Sequence, residues 1–513
     1  MEKINLNEVA QKKLTHTALV NDTVSSCEVS EEFTLPDYVP EIRKMLTVKS
    51  SALPEGKYLS DKNGSSTLDY SGTVTYLIIY ADDDGNLCST PLSSQYESSA
   101  LLNGHPDIVF IDTTVDNTSL RVNAPRKLTI KTRLKSRILG YGKSTYEENV
   151  TPKSVADEMY LQRASKAVNT VEISQVSMQN IRISDKLDMQ GYKNAKPIWC
   201  DAVAVVTECK AQNGSVLVRG NGKVKCICQV NDTTVCLEND ISIFEEIEAD
   251  KCKECDLVSV NPRCVSLSIS NELNENESQL FYDLNIEIEG AAYSNNQEYV
   301  TEDIYSTKCD TDVNYKIIDT YSAVKCQNAS FTVSEALKRK NNDKIEIVEI
   351  IATPVYEKAE IKVSKSQFTG KLDIVVIGVN QKDEEKEYVY ESYELPIKYE
   401  ADLKSNNEEV ISRCSFMVGK ISGKYDEERF LVNSEIFVYY DTVEKSKHKV
   451  VATAILKKDK EIKSDLACVR VCFPTESDTL WEIAKKYHTT VSKITEQNDI
   501  DASESIYRKK LII

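Results

Sequence analysis

The chain has 513 residues, a net charge of −18 and 41% hydrophobic residues. Because single hydrophobic cores stop growing near roughly 250–300 residues, this length predicts several domains, and the ordinary apolar content excludes a disordered chain. The acidic balance, without a dense cluster of Lys and Arg, disfavours nucleic-acid binding, which depends on cations that neutralise phosphate.

The sequence also indicates a compartment. Residues 1–8 contain no apolar core flanked by basic residues, so we predict no secretory signal, and no apolar run is long enough for a transmembrane segment. We therefore expect a cytosolic protein, in which the 15 cysteines are thiols rather than disulfides.

Residues 1–20 have mixed polarity and are interpreted as an N-terminal arm. After them, one short pattern occurs three times, centred on Gly72, Gly222 and Gly370. The second, fourth and sixth positions after each glycine are apolar, whereas the first and third are polar; the apolar residues are Val74, Tyr76 and Ile78, then Val224, Cys226 and Cys228, then Leu372, Ile374 and Val376. This alternation predicts a half-buried strand in each copy.

The flanking segments favour the same organisation. Further strands are predicted at 127–134, 282–288 and 429–440, and short helices at 33–46 and 331–339, with 196–200 as a weaker counterpart in the middle copy. Connectors are predicted at 145–157 and 310–321. The sequence thus predicts three mainly β domains, at residues 21–157, 158–320 and 321–465, each with a short helix.

The last segment, residues 466–513, has a different pattern. Residues 468–473 alternate in polarity and predict a strand. Thr479 and Glu482 form a capping-box pattern, in which each side chain binds the other residue's backbone amide at the start of a helix. Leu480 and Ile483 lie on one apolar stripe of that helix, and Trp481 lies on a wetter face. A second helix at 491–497 and a strand at 511–513 complete a βααβ order.

This segment resembles a LysM domain. The residues that match the family pattern are Asp478, Thr479, Leu480, Trp481, Ile483, Ala484, Lys486, Tyr487, Thr490, Ile494 and Asn498. LysM domains hold chains of N-acetylglucosamine in their loops, and here Ser477 and Lys510 stand where the family usually has glycine. The Pro that usually closes the family pattern is also missing. The resemblance therefore implies the LysM fold, while these three departures argue against glycan binding.

Three β repeats followed by a LysM-like segment resemble the SPOCS-domain proteins of spore-forming bacteria. The resemblance implies a non-enzymatic scaffold of the mother-cell cytoplasm, without a cofactor. Such a protein would be recruited to the forespore surface by binding the coat basement-layer ATPase SpoIVA, and would help to assemble the spore coat. Other coat proteins or a second copy of the chain are alternative partners of the repeats, and peptidoglycan is an alternative ligand of the LysM segment.

The predicted partner-binding residues all lie in the LysM-like segment: Asp478, Thr479, Leu480, Trp481, Ile483, Lys485, Lys493 and Asn498. We expect Leu480 and Ile483 to support the fold, and Val469 and Val471 to hold the sheet beneath the helices. Trp481 has two interpretations, since its indole can pack against its own small domain or anchor an interface.

Catalytic and metal-binding patterns are weak. The four histidines are isolated in the sequence, and no phosphate-binding glycine loop is present. Cys252 and Cys255 have the spacing of half a zinc site, but a second matching pair is lacking. Cys226 and Cys228 occupy apolar positions of the repeated strand, so we interpret them as core thiols. A cell-wall hydrolase would need a catalytic domain, and the sequence offers no pattern for one.

Overall fold

The computed structural model describes residues 11–62, 65–149, 161–192, 194–231, 233–274, 277–340, 344–362, 365–380, 387–403, 409–461, 469–502 and 505–513. Within these ranges the chain folds mainly into antiparallel strands, and two short helices lie near the C-terminus. No helix among these residues has the length and apolar character needed to cross a membrane. The predicted fold class, mainly β with a small C-terminal βααβ unit, is confirmed.

The first repeat consists of six strands: β1 (Gln11–Thr34), β2 (Lys44–Lys62), β3 (Ser65–Ala81), β4 (Leu87–Leu102), β5 (Ile108–Ala124) and β6 (Lys127–Asn149). They form two antiparallel sheets of three strands each, in the orders β1-β6-β5 and β2-β3-β4. The strand with the repeated glycine pattern, β3, is the middle strand of the second sheet.

The second and third repeats have the same pairing. The second comprises β7 (Leu161–Lys186), β8 (Lys196–Gln212), β9 (Ser215–Val230), β10 (Thr233–Glu248), β11 (Leu257–Asn274) and β12 (Glu277–Ser306), in sheets β7-β12-β11 and β8-β9-β10. The third comprises β13 (Cys309–Lys338), β14 (Ile345–Lys362), β15 (Lys365–Asn380), β16 (Glu387–Asp402), β17 (Val410–Tyr425) and β18 (Arg429–Glu461), in sheets β13-β18-β17 and β14-β15-β16.

The repeated strand has the predicted half-buried character. The alternating apolar side chains of β3, β9 and β15 are at most 2% exposed. Each glycine is required by close packing, because a Cβ atom at Gly72, Gly222 or Gly370 would lie 2.2–2.3 Å from a carbonyl oxygen of the neighbouring strand. The glycines therefore let the middle strand pack against its neighbour in each repeat.

The three repeats contact one another through shared clusters of buried side chains. One cluster includes Ile79, Ile227 and Ile377, which come from the middle strands β3, β9 and β15 and are at most 1% exposed. A second cluster includes Tyr141 of β6, Tyr293 of β12 and Val443 of β18. A single parallel bridge between Asn149 and Thr453 also joins the first and third repeats. The repeats are thus packed together rather than tethered.

An arginine lies at this junction. Arg413 of β17 donates to the Asp441 carboxylate of β18, with Nε 2.8 Å from Oδ2, and to the Tyr293 hydroxyl of β12 at 3.1 Å. Its guanidinium carbon is 4.0 Å from the centre of the Phe110 ring of β5. Arg413 therefore contacts all three repeats through one charged group.

The helices predicted inside the repeats are wrong. Residues 331–338 continue strand β13, because Phe331 and Val333 alternate toward the core and pair with Ile436 and Ser434 of β18. Residues 33–46 form the end of β1, a turn and the start of β2, with Val39 N–H donating to the Pro36 carbonyl. Residues 196–200 begin strand β8.

The predicted limits also differ from the strand limits. The connector predicted at 310–321 lies within β13, which begins at Cys309, so the third six-stranded unit starts earlier than residue 321. Residues 11–20 of the predicted arm belong to β1, and residues 1–10 lie outside the described residues. Of the connector predicted at 145–157, residues 145–149 end β6 and the remainder is not described. These differences arise because strands β1, β6 and β13 are long and extend into segments that were predicted as an arm or as connectors.

The C-terminal unit follows as β19 (Val471–Cys472), α1 (Leu480–Lys486), α2 (Val491–Asn498) and β20 (Leu511–Ile512). β19 pairs with β20 antiparallel. A small core between the helices and this sheet contains Leu480, Ile483, Ala484, Ile494, Ile506 and Leu511. The predicted first strand, 468–473, is shorter in the structure, and residue 468 is not described.

Candidate functional site

The start of α1 is fixed by side chains that were predicted to bind a partner. The Thr479 hydroxyl accepts from the Glu482 N–H at 3.2 Å, and Glu482 Oε2 accepts from the Thr479 N–H at 3.0 Å. Asp478 accepts from the N–H and the hydroxyl of Thr475 at 2.7 and 2.8 Å, and these hydrogen bonds hold the pKa of its carboxyl below the usual value. The capping box is confirmed, and both residues order the loop before the helix.

Three other predicted residues are also structural. Leu480 and Ile483 are buried in the small core, as we expected. Asn498 ties α2 to β20, since its amide donates to the Ile512 carbonyl at 2.7 Å and its side-chain oxygen accepts from the Ile512 N–H at 2.7 Å. Lys493 is exposed on α2. Leu480 and Ile483 are therefore not available to a partner, whereas Lys493 is accessible on α2.

Trp481 and Lys485 meet at one carboxylate from another part of the chain. Asp303, near the end of β12, accepts from Trp481 Nε1 at 2.8 Å. Lys485 Nζ lies 2.7 Å from both oxygens of the same carboxylate. Tyr315 of β13 donates its hydroxyl to Asp303 Oδ1 at 2.6 Å. The exposed face of α1 predicted from the sequence is therefore paired with the second repeat.

Tyr305 extends this contact. Its ring centre lies 4.9 Å from that of Trp481 in an edge-to-face arrangement, and its hydroxyl donates to the Thr489 carbonyl at 2.8 Å. Tyr305 is only 3% exposed and belongs to the same apolar cluster as the core of the C-terminal unit. His488 Nδ1 lies 3.4 Å from the Ser306 carbonyl oxygen. The contact thus combines an ion pair, an aromatic pair and backbone hydrogen bonds.

The backbone of β12 explains the position of Asp303. A β-bulge lies between Thr301 and Asp303, where Glu302 is the additional residue opposite β7, and such bulges redirect side chains. Burial alone would raise the pKa of the Asp303 carboxyl. The hydrogen bonds from Lys485, Trp481 and Tyr315 outweigh burial and hold that pKa below its usual value. Asp303 is therefore an ionised, half-buried acceptor.

The opposite side of the C-terminal unit carries an exposed apolar strip, formed by Val469, Val471, Phe473 and Ile512. Val469 and Phe473 are 76% and 71% exposed, and Val471 pairs with Ile512 across the two strands. The prediction that Val469 and Val471 hold the sheet beneath the helices is wrong, because their side chains face outward and the alternate residue, Cys472, packs against the core.

The comparison with known families agrees with this geometry. The family model described as LysM domain matches residues 475–508. The chain contains a LysM domain. The match covers both helices and the capping box of α1. No curated protein matches the chain.

The sequence interpretation missed the contact surface of the LysM domain on the repeats. Asp303, Tyr305 and Tyr315 lie in strands β12 and β13, more than 160 residues before α1 in the chain. Asp and Tyr two residues apart are common in strands, so nothing in the local sequence marks Asp303 and Tyr305 as a contact surface. Only the packing of the domain against the end of β12 and the start of β13 brings them to Trp481.

Cysteines in the described part of the chain form no group that holds a metal. No cluster of three or more His, Cys, Asp or Glu side chains suited to an ion occurs among those residues. Cys226 and Cys228 are buried in the core of the second repeat, as predicted. Cys252 is buried and Cys255 is exposed. Burial raises the pKa of the Cys264 thiol to about 12 and that of Cys209 to about 11.

A cavity of about 450 Å³ lies where the repeats meet and is lined by charged side chains from each of them. Arg137 makes two hydrogen bonds to Asp22, at 3.1 and 2.9 Å, and Arg413 is paired with Asp441. Burial raises the pKa of the Asp112 carboxyl despite the neighbouring arginines. The two arginine–aspartate pairs mainly neutralise charge within the junction.

Proposed function

We propose that this chain is a non-enzymatic scaffold that uses its LysM domain to bind another protein, in the manner of the SipL-like spore-coat morphogenetic proteins. In this proposal the partner is a SpoIVA-type coat ATPase, and binding localises the chain from the mother-cell cytoplasm to the forespore surface. The proposal rests on the LysM domain at residues 475–508 and on three repeats of identical strand pairing.

The observation that carries the proposal is the exposed apolar strip. Val469 and Phe473 leave most of their surface uncovered on a domain with a small core, and a clustered apolar surface of this kind marks an interaction site. Lys510 is exposed two residues before Ile512, so strand alternation places one cation on the same face as the strip. An apolar protein surface with acidic neighbours fits this side better than a neutral sugar chain.

The three repeats would then array and present the LysM domain. Their shared buried clusters join the repeats to one another, and the contacts at Asp303 and Tyr305 hold the LysM domain against the second repeat. Other coat proteins, or further copies of the chain, are proposed as partners for the outer faces of the repeats. This part of the proposal follows from the architecture and from the resemblance to SPOCS-domain proteins.

The test is retention of a purified SpoIVA-type ATPase by the immobilised full-length chain. Phe473→Ser removes a large side chain that makes no core contact, so we expect a folded protein with strongly reduced retention. Tyr507→Ser, at a residue 42% exposed on the same domain but outside the strip, is the matched control. Equal retention by folded Phe473→Ser and wild-type protein would overturn the role of the strip, and no retention by wild-type protein would overturn the partner.

A second candidate function is binding of peptidoglycan, because the LysM match itself favours N-acetylglucosamine chains. Here the loops around Ser477 and Lys510 would contact the sugar. Sedimentation of the full-length chain with purified peptidoglycan separates the two functions. We expect the protein to stay in solution at near-neutral pH and moderate salt; sedimentation that Phe473→Ser does not change would favour the glycan.

A further inference from the structure

We propose that the α1 face of the LysM domain, defined by Trp481, Lys485 and His488, recognises a carboxylate and an aromatic ring two residues apart on an extended polypeptide. The chain's own Asp303 and Tyr305 occupy this face in the absence of a partner. The inference deepens the proposed function, since it names the chemistry that a protein partner must present to this side of the domain.

The internal segment shows what the face accepts. The Asp303 carboxylate lies between the indole N–H of Trp481 and the ammonium group of Lys485, at 2.7–2.8 Å from both. Both donors are fixed by α1, where positions 481 and 485 are one turn apart and therefore neighbours on the helix surface. A carboxylate matches these two donors better than a neutral amide, because the bond to the ammonium group is charge-assisted.

The second element is the aromatic ring. Tyr305 packs edge-to-face on Trp481, and its hydroxyl reaches the Thr489 carbonyl between the two helices. Residues 303 and 305 of an extended strand point to the same side, so one strand delivers both groups at once. The Ser306 carbonyl, 3.4 Å from His488 Nδ1, adds a backbone contact that any sequence can make.

The occupied face has a consequence for binding. A partner that uses Trp481 must displace Asp303 and Tyr305. The measured association constant is therefore the intrinsic association constant multiplied by the fraction of molecules in which the face is free. The contact is only partly sheltered, since the Lys485 and Asp303 side chains are 38% and 19% exposed. Tyr305 belongs to the same apolar cluster as the LysM core, so a displacing segment must present an aromatic ring that covers this part of the core again.

The probe is a peptide with the sequence of residues 300–307, Val-Thr-Glu-Asp-Ile-Tyr-Ser-Thr. The chain has two tryptophans, so Trp199→Phe leaves Trp481 as the only tryptophan fluorophore in the full-length protein. In this background we measure acrylamide quenching of Trp481 and its spectral change on peptide addition. Asp303→Asn and Asp303→Ala weaken the internal contact to different degrees. Asp283→Ala, which removes a partly exposed, ion-paired carboxylate from the same strand 20 residues before Asp303, is the matched control.

We expect quenching of Trp481 to rise in the order wild type, Asp303→Asn, Asp303→Ala, and the control to equal wild type. The peptide should bind Asp303→Ala about tenfold more tightly than wild type, the size expected when a hydrogen-bonded charge is removed from the competing segment. A peptide with Asn in place of its Asp should bind more weakly than the parent peptide.

Three results would overturn the inference: equal quenching in wild type and both variants, no binding of the peptide to folded Asp303→Ala, or equal binding of the Asp and Asn peptides. These outcomes are independent of the Phe473→Ser experiment. If Phe473→Ser abolishes ATPase retention while the peptide still binds normally, the ATPase contacts the apolar strip alone. If the ATPase is retained but the peptide does not bind, recognition at Trp481 plays no part in binding the ATPase.

Discussion

Replacement of Arg413 by Met should destabilise the junction of the three repeats more than any surface ion-pair change. Arg413 is the charged partner of Asp441, with Nη2 2.6 Å from Oδ2, and the two side chains are 21% and 4% exposed. Met keeps much of the side-chain volume but leaves the Asp441 carboxylate without its cation. The variant also loses the hydrogen bond to Tyr293 and the contact with the Phe110 ring.

The expected loss follows from the burial of the remaining charge. Breaking a buried ion pair by removing one partner costs about 3–5 kcal/mol. The 21% exposure of Arg413 toward the cavity allows water to approach Asp441, so we expect the lower end, about 3 kcal/mol. Burial disfavours the charged arginine, yet the Asp441 carboxylate and Tyr293 keep the pKa of Arg413 well above its usual value. The arginine is therefore charged at every pH of the assay.

The assay is urea denaturation of the full-length protein, followed by far-ultraviolet circular dichroism. Lys371→Met is the control, because Lys371 and Glu394 form an ion pair in which the carboxylate is 66% exposed, and such pairs contribute about 0–1 kcal/mol. The double variant Arg413→Met/Asp441→Leu should recover most of the loss, since apolar residues can replace a buried pair at little cost. A loss below about 1 kcal/mol, or a double variant as unstable as the sum of both single changes, would refute this reasoning.

Further predictions concern single sites. Gly222→Ala should destabilise the second repeat by about 1–3 kcal/mol in the same urea assay, because the new Cβ would lie 2.2 Å from the Val203 carbonyl oxygen; wild-type stability would contradict the close packing. Thr479→Ala should cost the LysM domain about 0.5–2 kcal/mol through loss of its cap, with Thr475→Ala for comparison. Cys255 should react with a thiol reagent in the native protein and Cys226 only after unfolding; rapid native labelling of Cys226 would contradict its burial. Because the folded pKa of Asp303 is depressed, the docking contact should persist above its usual pKa of 3.8 and weaken as pH falls through the lower folded value; Trp481 quenching against pH measures this, and a midpoint near neutral pH would exclude Asp303 as its cause.

Much of the architecture could be predicted because it depends on local alternation. The apolar positions after Gly72, Gly222 and Gly370 identified the middle strand of each repeat, since burial of one sheet face imposes period two on the sequence. The capping box at Thr479 and Glu482 likewise marked the start of α1, because both hydrogen bonds are made within one helical turn.

Local propensity failed where long strands pair with distant ones. Residues 331–339 contain good helix formers, yet residues 331–338 end a strand that begins at Cys309 and pairs with β18 along its length, and Phe331 lies opposite Ile436. Strand propensity depends strongly on tertiary context, so such segments cannot be assigned from composition alone. Val469 and Val471 were misplaced for a similar reason. The alternation shows that every second side chain faces the small core, but it does not show which of the two sets does so.

By itself, the sequence determined that this protein has three related β repeats and a LysM domain. Only the tertiary structure decided what lies against Trp481, because Asp303 and Tyr305 reach α1 through packing between units that are far apart in the chain. Such a contact cannot be predicted from sequence periodicity. The periodicity shows which face of a helix or strand is buried, but not which other element packs against that face.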